Sequence, residues 1–90
     1  MNSSTNNRKD VVSMDLKEIL TNIARAIVDT PDSVTVTETV DGDDVELVLS
    51  VAEDDVGMVI GRHGKIAKAI RRIMKAAAST CGKRVTVEIK

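Results

Sequence analysis

Val59-Ile-Gly-Arg-His-Gly-Lys-Ile-Ala-Lys-Ala-Ile-Arg71 decides how this chain is read. It holds the end of a short apolar helix, a loop opened and closed by glycine, and the first turns of a basic helix. Gly61-Arg62-His63-Gly64 therefore sits at the entrance of the second helix, where backbone N–H groups lack intrahelical partners and the helix dipole favours negative charge. Glycines at both ends permit positive φ and let a ligand backbone approach the main chain closely. Arg62 and Lys65 bracket the same point with positive charge. Two nucleotide motifs are excluded by spacing. A P-loop needs glycine where Val59 stands and Ser or Thr where Ile66 stands. A dinucleotide fingerprint needs Gly-x-Gly before its last glycine, and Gly57, Gly61 and Gly64 do not supply it.

At 100° per residue, Ile66, Ala69, Ile70, Ile73, Met74 and Ala77 share an arc of roughly 140°, which predicts the core face of the helix. Lys65, Lys68, Arg71, Arg72 and Lys75 occupy the opposite arc without an acidic neighbour. Lys68–Arg72 and Arg71–Lys75 are like-charged i,i+4 pairs, each costing a few tenths of a kcal/mol. Such a face suits an anion; a solvated helix surface is the alternative reading.

Before this stretch, Ser13 or Asp15 can cap a helix whose apolar stripe is Leu16, Ile19, Leu20, Ile23 and Ile27. Pro31 ends it. Val34, Val36 and Val40 alternate with Thr35, Thr37 and Thr39 as a half-buried strand, interrupted on its apolar face by Glu38. Asp41-Gly42 favours a tight hairpin, and Val45, Leu47, Leu49 and Val51 form the buried side of the second strand. Asp54 or Asp55 can cap the short helix through Ile60. After Gly82, Val85, Val87 and Ile89 alternate as a last strand. The order is α-β-β-α-α-β, which predicts one α+β domain: a three-stranded sheet with three helices packed on one face. Residues 1–13 are polar and without periodicity, and read as a disordered tail ahead of a domain at 14–90.

The chain has 90 residues with 13 basic and 14 acidic side chains. That near balance argues against nucleic acid until it is divided at Gly57. Up to Gly57 there are thirteen acids and four bases, a charge of −9; from Met58 there are nine bases and one acid, +8. Charge asymmetry between halves points to an interaction surface. No Phe, Tyr or Trp is present, which excludes modules that stack bases on aromatic rings. One Cys and one His provide neither a disulfide framework nor a Cys-based zinc site, and fit a cytoplasmic location. No apolar run is long enough to span a bilayer, so no membrane association is expected. No nucleophile–base pair, cofactor motif or metal set is present, and an enzyme is not expected.

A short apolar helix, a Gly-x-x-Gly loop and a basic helix inside β-α-α-β resemble the KH domain, whose loop clamps about four nucleotides of single-stranded backbone. An added helix and strand ahead of that core resemble the type II arrangement. Asp15-Leu-Lys-Glu-Ile-Leu, Ile27-Val-Asp-Thr-Pro-Asp32 and Lys83-Arg-Val-Thr-Val-Glu-Ile89, with the central stretch, are similar to the KhpA (YlqC) family of small stand-alone bacterial KH proteins. The resemblance implies that Gly61, Arg62, His63 and Gly64 form an RNA clamp. It places Ile60 and Val59 in an apolar floor, and Lys65, Lys68 and Arg72 along the phosphate path. Residues 79–83 correspond to the family's variable loop. The position three places after the second glycine, often aliphatic in KH domains, is Ala67 here. The resemblance further implies single-stranded RNA as ligand, a role as RNA chaperone or post-transcriptional regulator, a homodimer, and pairing with KhpB (Jag). The alternatives are a KH-fold interaction or dimerisation module and a ribosome-assembly factor.

Overall fold

The structure, a computed structural model, describes residues 15–90; the predicted tail and the predicted domain start at Met14 lie outside the described residues. The elements are α1 (Leu16–Ile27), β1 (Thr35–Asp41), β2 (Asp44–Ser50), α2 (Val56–Ile60), α3 (Lys65–Thr80) and β3 (Arg84–Ile89). This is the expected α-β-β-α-α-β order.

Helix α1 starts at Asp15, whose carboxylate accepts the Glu18 N–H at 3.3 Å; the other candidate cap, Ser13, lies outside the described residues. Leu16, Leu20 and Ala24 are buried, with Ile19, Ile23 and Ile27 packed around them. The hairpin is as tight as Asp41-Gly42 predicts. Asp41 pairs with Asp44 across Gly42 and Asp43, and Gly42 has φ +64°.

Antiparallel pairing joins β1 to β2, and parallel pairing joins β2 to β3. The sheet order is β1-β2-β3. A parallel pair needs a long crossover, and α2, the glycine loop and α3 supply it. Central β2 carries Val45, Leu47 and Leu49, all buried. These meet Leu20, Ile70 and Met74 in the core. Each fully buried side chain of that size is worth about 1.5–3 kcal/mol.

Two burial expectations are corrected. Val40, predicted on the buried side of its strand, is 55% exposed. It faces an open cleft with Asp15, Leu16 and Glu38, on an edge strand beyond the cover of the helices. Along α3, the buried residues are Ala67, Ile70, Met74 and Ala78. Ile66 and Ile73, expected in the core, are 36% and 50% exposed, and Ala69 is exposed too. The buried stripe is rotated by roughly 70° from the predicted one. Ile70 and Met74 hold the centre of the packed face; the small Ala67 and Ala78 lie on its covered flank, and Ile66 and Ile73 lie on the other flank, which the rest of the fold leaves open.

Candidate functional site

Helix α2 has only five residues and one fully buried side chain, Val59. Its C-terminal cap is Gly61, at φ +76°, ψ 171°, a conformation open essentially to glycine alone. A β-carbon built on Gly61 would lie 2.7 Å from Ile66 Cγ1 and 2.9 Å from the Ile66 backbone nitrogen. The loop is thus folded onto the first turn of α3 with no room for a side chain. Arg62–Gly64 forms a single 3-10 turn, held by Gly64 N–H donating to the Gly61 carbonyl at 3.1 Å. His63 is left-handed at φ 56°, ψ 23°, the sole non-glycine residue with positive φ among the described residues. Gly64 is also left-handed (φ 73°), yet nothing lies within 4 Å of the position its β-carbon would take. One glycine closes the loop on the protein; the other leaves an open approach.

Neither the Arg62 nor the His63 backbone N–H has a protein partner among the described residues. Both side chains are exposed, as are Lys65, Lys68, Arg72 and Lys75 along α3. Among the described residues one ion pair forms, Arg84 to Asp44 at 2.7 Å, by the hairpin turn. The cations of the loop and helix face therefore have no carboxylate partner there. Arg71 differs from its neighbours: its Nε donates to the Val87 carbonyl at 3.3 Å, tying it to β3. Helix N-terminus, two unpartnered amides and unneutralised cations together make a surface for a polyanion that presents phosphate.

Residues 17–89 match the family described as KhpA/KhpB, KH domain. The chain belongs to this family. RNA-binding protein KhpA of Clostridium acetobutylicum is 50% identical over 74 residues, covering 82% of this chain and 99% of that protein. RNA-binding protein KhpA of Treponema pallidum is 46% identical over 74 residues, with coverage of 81% and 91%. The fold is also that of part of Era, in the crystal structure of its complex with MgGDPNP and nucleotides 1506–1542 of 16S ribosomal RNA. The TM-score is 0.63 at 21% identity, over 82% of this chain and 28% of Era. That likeness concerns the fold alone.

The KH fold brings Gly61, Arg62, His63, Gly64 and Lys65 together at one turn, and Lys68 and Arg72 continue along the next exposed turns of α3. Ile60 is 38% exposed beside the loop, whereas Val59 is 0% exposed and belongs to the core. Val59 therefore supports the loop from beneath and has no surface to offer a ligand. No helix among the described residues is long and apolar enough to cross a membrane. Asp55 was not visible as a special residue in the sequence. It stands at the N-cap position of α2 but makes no cap bond, contrary to the capping role read from the acid run. Its carboxylate instead accepts the Thr30 N–H at 3.0 Å. No local pattern announces a partner 25 residues away.

Proposed function

We propose that this protein binds single-stranded RNA by gripping its sugar–phosphate backbone at Gly61-Arg62-His63-Gly64. The observation that carries this reading is the pair of unpartnered amides at Arg62 and His63, placed where α3 begins and its exposed cations line up. The names of the curated relatives, RNA-binding protein KhpA, support it. Backbone amides meet phosphate oxygens, Lys65, Lys68 and Arg72 follow the strand along α3, and Ile60 offers apolar surface to a base. This binding needs no aromatic platform and involves no catalysis. Such a clamp covers about four nucleotides, so affinity for a longer RNA rises when two KH modules act together. The biological roles that fit are RNA chaperoning or post-transcriptional regulation in the cytoplasm.

Lys68→Ala or Arg72→Ala is expected to flatten the slope of log K against log salt for a short single-stranded RNA by about 0.7, the contribution of one phosphate contact. Filter-binding or fluorescence titrations at four salt concentrations measure it. An unchanged slope in both variants places the RNA elsewhere.

The exposed Ile66 and Ile73, with exposed Ala69 between them in sequence and Ala76 one turn beyond on the same side of α3, favour a second reading alongside the first: an interaction surface for a homodimer or for KhpB (Jag). The small Ala69 and Ala76 beside the isoleucines let another helix approach closely. Ile73→Glu is expected to convert a sedimenting dimer to monomer while the domain stays folded, because a charge buried without a partner is costly. An unaltered sedimentation coefficient rejects this face.

A further inference from the structure

We propose that Asp55 is the positioning residue of the glycine loop, an inference that rests on the RNA-binding reading above. It is 2% exposed, the one buried charged side chain among the described residues. A buried carboxylate is costly unless hydrogen-bonded, and this one is spent on the Thr30 N–H. Thr30 lies in the connection between α1 and β1, immediately before the 3-10 turn Pro31–Ser33. Asp55 lies at the other end of the bond, directly before α2 and six residues ahead of Gly61. The bond therefore joins the scaffold to the element that carries the loop.

Helix α2 is too short to orient itself. Its one fully buried side chain, Val59, lies near its C-terminal end, whereas at its N-terminal end Val56 is only half-buried, so the direction of the helix depends on what else holds that end. The Asp55–Thr30 bond supplies a second point at the N-terminal end, and two points define the direction in which the C-terminal end delivers Gly61. From there the Gly61 N–H bond to the Gly57 carbonyl (2.8 Å) and the Gly64 N–H bond to the Gly61 carbonyl (3.1 Å) transmit the orientation to the amides of Arg62 and His63. An apolar residue at position 55 would bury at lower cost, yet would leave the Thr30 N–H without its acceptor.

The test compares Asp55→Ala, Asp55→Asn and Val36→Ala, all at a temperature where each is fully folded. Asn keeps an oxygen that can accept the Thr30 N–H. Val36 is buried in β1, so its truncation loosens the core on the edge strand without touching the Asp55–Thr30 bond. If the loop holds its binding orientation about a tenth of the time in Asp55→Ala, affinity for a short single-stranded RNA falls about tenfold. The salt slope stays at the wild-type value, since the phosphate contacts are the same in number. Asp55→Asn stays within about threefold of wild type, and Val36→Ala binds as wild type does. A second measurement needs no RNA. Hydrogen exchange at the Gly61 and Gly64 amides should accelerate about tenfold in Asp55→Ala and remain near wild type in the other two. Wild-type affinity and wild-type exchange in Asp55→Ala, or equal losses in Val36→Ala, overturn the proposal. Failure of the wild-type protein itself to bind RNA overturns the RNA reading, and the exchange measurement still decides whether Asp55 orients the loop.

Discussion

Gly61→Ala is expected to lower the melting temperature by about 15 °C, whereas Gly64→Ala lowers it by only about 5 °C. The two residues belong to one Gly-x-x-Gly loop and both have positive φ, so motif position alone predicts equal effects. Their surroundings differ. At Gly61 a methyl group meets Ile66 Cγ1 at 2.7 Å and the Ile66 backbone nitrogen at 2.9 Å. The side-chain atom can shift, but the backbone nitrogen belongs to the first turn of α3 and cannot move without displacing the helix. Overpacking of this kind and a backbone region reserved for glycine together cost about 3 kcal/mol. At Gly64 the added methyl enters open space, and only the left-handed conformation is charged against it, about 1 kcal/mol. Thermal denaturation by circular dichroism measures both. Equal shifts, or a larger one at Gly64, contradict the packing of the loop onto α3.

The elements that could be read from the chain are those whose signals are local. Asp41-Gly42 announces its hairpin, Pro31 announces the end of α1, and Gly61 with Gly64 announces the break between α2 and α3. In each case the backbone chemistry of one or two residues dictates the outcome. The basic face of α3 was equally legible, because charge cannot be buried there without partners. Burial was less so. Helical periodicity groups the largest apolar side chains, and so selects Ile66 and Ile73; the packed face centres on Ile70 and Met74 and takes Ala67 and Ala78, not the two isoleucines, as its covered flank. Val40 fits strand alternation but lies where no helix covers the edge of the sheet. Asp55 sits within an acid run that reads as a helix cap, and its bond to Thr30 depends on the fold bringing the two together. Arg71, indistinguishable in sequence from the other cations of α3, is set apart by the Val87 carbonyl. These are long-range consequences of topology, and no window of neighbouring residues contains them.

The corrections also narrow the candidate interface. With Val59 in the core and Arg71 tied to β3, the residues left for the proposed RNA contact are the loop itself, Ile60, Lys65, Lys68 and Arg72. The whole-chain charge of −1 is no obstacle to that role, because the cations that matter are concentrated on one helix and its entrance.

Replacing Arg62 and His63 together by Asp tests the clamp most directly. Both side chains are exposed and neither makes a hydrogen bond or ion pair among the described residues. Asp also tolerates the left-handed conformation that His63 adopts, so the domain should remain folded. Each new carboxylate beside a phosphate costs about 1 kcal/mol in a solvated site, and loss of the Arg62 contact adds a similar amount. The sum corresponds to about a hundredfold in affinity. The decisive measurement is the affinity of the wild type and of this variant for a short single-stranded RNA across several salt concentrations, with folding checked by circular dichroism. A loss of about a hundredfold at low salt, with a flatter salt slope in the folded variant, is the predicted result. Wild-type affinity in the folded variant would show that the RNA is not held at the glycine loop.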